Sequence, residues 1–142
     1  MIDLAVLIAG LALTVSILQW WLGSRRRPRF DADIQWIHHG DERTPTLQFT
    51  ISNIGTIPGS IRSLRMSGPT DPPRSGWIPN ELHGFKPIWL QVFETSRPFL
   101  VNSTLLVSGL EEGRRRWLVI EDARGHEKRV EIRPPYSESS RA

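Results

Sequence analysis

Residues 2–22 form an almost uninterrupted apolar run, and Arg25, Arg26, Arg27, Pro28 and Arg29 follow it at once. At a rise of about 1.5 Å per residue, such a run makes a helix about 31 Å long, which matches the hydrocarbon core of a bilayer. The expected division is a transmembrane helix over residues 1–23 and a basic juxtamembrane linker over 24–29. A cleaved signal peptide would need a basic start, an apolar core of about 7–15 residues and a small-residue cleavage site. Here Asp3 is the only charge before Arg25, the run is too long, and Gln19, Trp20, Trp21 and Leu22 stand where cleavage would occur. An uncleaved signal-anchor fits better.

Basic residues close to a helix end resist translocation, so the end bearing them stays in the cytoplasm. All four flanking arginines lie on the C-terminal side. The expected topology is a single-pass protein of the cell membrane with its N-terminus outside and the rest cytoplasmic. Trp20 and Trp21 suit the inner interfacial layer, where an indole ring is buried while its N–H stays wet. Together with Arg25, Arg26, Arg27 and Arg29 they make the expected membrane-interface set. Ala5, Ala9, Ala12, Ser16 and Gln19 recur at alternating spacings of four and three. In lipid, helices associate where small side chains let backbones approach and a polar group bonds across. That stripe is a candidate helix–helix contact, for a homo-oligomer or a partner span, although small residues are also common in membrane helices that have no such contact.

The basic pI near 10.2 invites a nucleic-acid reading. The charge sits elsewhere: residues 30–142 carry 14 Lys and Arg against 14 Asp and Glu, so the excess belongs to the juxtamembrane cluster. Each basic residue near an anionic leaflet is worth about 1 kcal/mol, so membrane lipid is the expected partner of this charge and nucleic acid is not. Cysteine is absent, which removes disulfides and thiolate metal sites and suits a reducing compartment.

Beyond Pro28 helical periodicity gives way to short alternating runs broken by Gly, Pro, Asn and Asp. Phe30, Ala32, Ile34 and Trp36 alternate with polar residues, as do Leu47, Phe49 and Ile51. Ile61, Leu64 and Met66 make a third strand whose three-residue step implies a bulge. A Pro/Gly-rich middle reads as a long loop around Trp77 and Ile78. Strands are expected over residues 88–93, at 100–101 and 105–107, and in a hairpin of 115–121 and 126–133, with Gly125 left-handed in its turn. The expected fold is all-β: an immunoglobulin-like two-sheet sandwich of about seven strands over 30–133, with a small β-barrel as the alternative and a disordered tail over 134–142. The run Phe49-Thr50-Ile51-Ser52-Asn53-Ile54-Gly55-Thr56-Ile57-Pro58 and the hairpin Val119-Ile120-Glu121-Asp122-Ala123-Arg124-Gly125, behind a span and a basic linker, resemble those of small bacterial single-pass membrane proteins of unknown function. The resemblance carries over no functional residue.

Motifs for chemistry are sparse. His38 and His39 point to opposite faces of a strand, and with Asp41, Glu42, His83 and His126 they read as surface or turn residues rather than metal ligands. Glu111 and Glu112 precede Arg114, Arg115 and Arg116 in a Gly-bounded loop, a solvated charge cluster rather than a catalytic pair. No nucleophile elbow, phosphate loop or dinucleotide fingerprint occurs, and nothing calls for a cofactor. Of the aromatic residues, Trp36, Phe85, Trp89, Phe93 and Trp117 are expected mostly in the core, and Trp77 is expected to be exposed as a partner contact. The leading expectation is a non-catalytic interaction or scaffold module that holds a membrane-bound or membrane-recruited protein. The alternative is an anionic-lipid binder or membrane-surface sensor, and an enzyme with an unrecognised site stands third.

Overall fold

The computed structural model describes residues 3–38, 40, 43–69 and 75–135. Helix α1 (Leu4–Arg25) starts at Asp3, whose side chain accepts from the Ala5 N–H and supplies an N-cap. Its aliphatic residues point outward on all sides, and none of the span Leu4–Gly23 is buried against protein. It is long and apolar enough to cross a membrane. The hydroxyls of Thr14 and Ser16 donate to the carbonyls of Gly10 and Ala12, four residues back. Both are thereby satisfied within the helix, which suits an apolar surrounding.

Seven strands follow: β1 (Phe30–Ile37), β2 (Thr46–Asn53), β3 (Gly59–Ser67), β4 (Ile88–Leu90), β5 (Phe99–Val101), β6 (Arg116–Asp122) and β7 (Glu127–Ile132). They form two antiparallel sheets, β1-β2-β5 and β4-β3-β6-β7. Phe30, Leu47, Phe49, Ile51 and Val101 of the first sheet share one buried cluster with Ile61, Leu64, Met66, Leu90, Leu118, Ile120 and Ile132 of the second. Alternation along β2 puts Leu47, Phe49 and Ile51 on one face, and each fully buried side chain of this size stabilises by about 1.5–3 kcal/mol. The expected bulge in β3 lies between Ile61 and Ser63, where the register against β6 shifts. Gly125 takes φ 85° in the β6–β7 turn, as its place in a short hairpin requires.

Two expected strands are corrected. The residues 105–107 belong to a second helix, α2 (Thr104–Glu111), capped by the Ser103 hydroxyl, which accepts from the Leu106 N–H. Leu106, Val107 and Leu110 face the protein at helical spacing, while Leu105 stays exposed. The fold is thus mostly rather than wholly β. The strand expected over 88–93 stops at Leu90, because residues 91–94 form a tight turn in which the Glu94 N–H donates to the Gln91 carbonyl. Among the described residues of the middle segment, Trp77 pairs through a bridge to Met66, before a short 3-10 helix (Asn80–Leu82). His39, Asp41, Glu42 and residues 136–142 of the expected tail lie outside the described residues.

Candidate functional site

Two regions of the sandwich combine polar and apolar groups in ways that the core does not need. The first is the end where α1 arrives. Strand directions place four pieces of chain there: the linker ahead of β1, the β2–β3 loop of residues 53–58, the turn of residues 91–94, and the β6–β7 turn.

Asn53 holds these pieces together. It is fully buried, and its side-chain amide donates to the carbonyls of Ile57 (2.9 Å) and Leu90 (3.2 Å) and accepts from the Gly55 N–H (3.0 Å). Its backbone carbonyl accepts from the Phe93 N–H at 2.8 Å, and its N–H donates to the Glu94 carbonyl. The neighbouring Ile54 N–H donates to the Arg29 carbonyl at 2.7 Å. The linker is therefore docked rather than free. A Cβ on Gly55 would stand 2.5 Å from the Arg29 nitrogen, and one on Gly59 would run into the Pro28 ring. Only glycine allows the backbone that close. With α1 running to Arg25, Arg26 alone separates the helix from this docked segment.

The linker and the β6–β7 hairpin also border an open hollow of about 400 Å³, lined by Arg27, Arg29, Ile54, Asp122, His126 and Lys128 among others. Asp122 is buried and spends one carboxylate oxygen on the N–H groups of Arg124 and His126, both at 2.9 Å. Arg26, Arg27, Arg29, Arg124 and Lys128 remain exposed around it.

The second region is the side where β4 and β5 form the free edges of the two sheets. The opposite side is closed: the Trp36 indole N–H of β1 donates to the Arg133 carbonyl beyond β7 at 2.7 Å. On the β4–β5 side a groove of about 480 Å³ opens instead, with Leu82, Phe85, Ile88 and Phe99 along it and Glu81, Lys86, Glu94 and Arg97 around it. Phe99 stacks on the core residue Phe49, with ring centroids 5.1 Å apart, and tilts against Phe85 at 5.9 Å. Trp89 stands beside this groove, 58% exposed.

The expected aromatic assignment is corrected at Trp89 and Phe93, which are exposed rather than in the core, and Trp77 falls between the two classes. Trp77 is half-buried, because its bridge to Met66 draws it against the core, and it lines a separate hollow beside α2. Trp89 is exposed because β4 is an edge. Phe93 is 82% exposed, at the tip of its turn with φ 64°. Trp36 and Trp117 are half-buried, and the Arg115 guanidinium lies 5.3 Å from the Trp117 ring centroid.

Of the membrane-interface set, Trp20, Trp21, Arg26, Arg27 and Arg29 are exposed, and the Arg25 side chain lies outside the described residues. Ala5, Ala9, Ala12, Ser16 and Gln19 are exposed along α1. Among the described residues no group of three His, Asp or Glu is arranged to hold a metal ion. Arg65 is a buried charge on β3 that alternation did not announce. It pairs with Glu121 and Glu127 across the second sheet and donates to the Ser75 carbonyl, pinning the middle loop to that sheet. Among known proteins, the sequence matches no family model and no curated protein.

Proposed function

We propose that this chain is a non-catalytic, membrane-anchored interaction module that holds an immunoglobulin-like sandwich against the cytoplasmic face of the membrane for a partner protein. The observation that carries this reading is that none of Leu4–Gly23 is buried by the protein itself. A mostly apolar twenty-residue helix with no protein cover supports a lipid surrounding, and the arginines beyond it favour a cytoplasmic C-terminal side. The immunoglobulin-like assignment is supported by strand order: β1-β2-β5 against β4-β3-β6-β7 has the first, second and fifth strands opposite a hairpin-extended sheet, as in sandwiches of that type.

The partner-binding surface is the open side with its groove and Trp89. Aromatic residues at the edge of an apolar groove are favoured anchors, since a large rigid ring contributes contact area at small entropic cost. Because the linker is docked, the sandwich stays at the headgroups, so the partner is itself membrane-bound or recruited there.

The cysteine-free chain makes the test clean. A Leu105→Cys variant should resist an impermeant thiol reagent in intact cells and label after permeabilisation, and the protein should stay with membranes through alkaline extraction. Labelling in intact cells overturns the orientation, and release by alkali overturns the anchor. A photo-crosslinker placed at Trp89 should give one discrete membrane-protein adduct that the same probe at Arg129 does not give. Equal or absent adducts at both positions count against the partner surface.

A further inference from the structure

From the linker end of the sandwich we infer a lipid-docking face: Phe93 and Ile54 enter the headgroup layer of the bilayer crossed by α1, with Arg26, Arg27, Arg29, Arg124 and Lys128 at the same end. This rests on the reading of α1 as a membrane span. Three independent observations carry it.

The first is Phe93 itself. It is the only described non-glycine residue with positive φ, and it is 82% exposed. A bulky side chain in the left-handed region is strained, and strain of this kind concentrates where a residue is held for something other than the fold. The turn is rigidly built, by the Glu94-to-Gln91 backbone bond, by the Glu94 carboxylate accepting from the Gln91 N–H at 2.7 Å, and by the Phe93-to-Asn53 bond. The chain thus holds a ring outward on a fixed support where glycine would be more comfortable.

The second is position. Ile54, 54% exposed, is adjacent in sequence to Asn53, the residue that Phe93 bonds, and bonds in turn to Arg29 of the linker. The exposed apolar pair therefore belongs to the same hydrogen-bonded assembly as the segment from which α1 departs, and only Arg26 intervenes. Whatever α1 enters, this end of the sandwich meets first.

The third is charge. Five exposed cations lie on the linker and the β6–β7 hairpin at this same end. Of the nearby acids, Asp122 is buried in its own turn and Glu127 is paired with Arg65, while Asp31 and Glu94 are exposed, two acids against the five cations. The exposed excess is positive, as complementarity to anionic phospholipid requires. An apolar tip beside basic residues is also the pattern of surfaces that sit in a membrane interface.

The test uses the full-length protein in lipid nanodiscs, with single spin-labelled cysteines at Leu13, Ile54, Phe93 and Leu105, and compares accessibility to oxygen with accessibility to a water-soluble nickel chelate. The label is apolar and stands in for the side chain it replaces. With phosphatidylserine present, labels at Leu13, Ile54 and Phe93 should be lipid-like, and the label at Leu105, on α2 at the far end, should be aqueous. Replacing the anionic lipid by phosphatidylcholine should raise chelate access at Phe93 several-fold. A lipid-like Leu13 with an aqueous Phe93 overturns the docking face alone, whereas an aqueous Leu13 overturns the membrane span and the docking face with it. As a second variant, Phe93→Gly relieves the strained φ and should fold at least as stably, yet a label at Thr56, exposed in the same loop as Ile54 and expected to be lipid-like in the parent, should then move into water. A Thr56 label that stays lipid-like in Phe93→Gly overturns the role of the ring.

Discussion

Leu11 of α1 and Leu47 of β2 are the same side chain in opposite circumstances. Leu11 has no protein around it, while Leu47 is fully enclosed between two sheets. The helix satisfies its backbone and its hydroxyls by local bonds, residue to fourth residue, and leaves its whole surface for another solvent. The sandwich closes by pairing residues far apart in sequence, as Ile61 does with Asp122, and seals its apolar face from every solvent. A local structure is indifferent to its neighbours, and a non-local one depends on all of them. Substitutions should therefore separate the two cleanly.

The largest effect is expected at the centre of the sandwich. Phe49→Ala removes a fully buried ring stacked on Phe99 and should cost about 3–5 kcal/mol, read as a lowered thermal midpoint, with membrane association unchanged. Leu11→Arg should do the converse. A charge at the middle of the span costs about 3 kcal/mol of insertion, so membrane recovery should fall while the β signal in circular dichroism persists. If Leu11→Arg unfolds the sandwich as well, the independence of the two regions is broken.

The joint between them offers a sharper probe. Gly55→Ala places a methyl against the Arg29 and Arg27 backbone and should cost about 1–3 kcal/mol by overpacking, with faster hydrogen exchange at the Ile54 N–H as the linker lifts. Exchange at Ile54 as slow as in the parent would show the docking to be more yielding than the distances imply. The smallest effect is expected at α2, where Ser103→Ala removes the cap bond to Leu106 and should cost about 1 kcal/mol, seen in thermal melts without any change at the linker.

The helix and most strands were legible in the chain, because each carries its period on its surface. Continuous apolarity read as a span, and alternation at Phe30 to Trp36 and Leu47 to Ile51 read as strands buried on one face. The structure departs from the expected strands where a short apolar run fits two periods. Leu105-Leu106-Val107 satisfies a strand as well as a helix, and the deciding signals were local: Ser103 as N-cap and Leu110 one turn on. The aromatic residues failed for another reason. Whether Trp89 or Trp77 is covered depends on which strand is an edge and which loop bridges to β3, and neither fact is encoded near either residue. Phe93 was the least legible, since its outward placement follows from a turn bonded to Asn53, 40 residues earlier. Gly55 and Gly59 are among the glycines that break the alternating runs, but their task of admitting Pro28 and Arg29 appears only with the linker folded back on them.

The docked linker also fixes an angular phase. Because only Arg26 lies between α1 and the segment held by Ile54 and the two glycines, the azimuth of the stripe Ala5, Ala9, Ala12, Ser16 and Gln19 is registered against the azimuth of the β4–β5 groove. Two such helices pairing through that stripe would present their grooves at a set compass bearing. A single residue inserted within α1 between Gln19 and Arg25 would rotate that bearing by about 100°, much as a gear advanced by one tooth keeps its mesh and loses its timing.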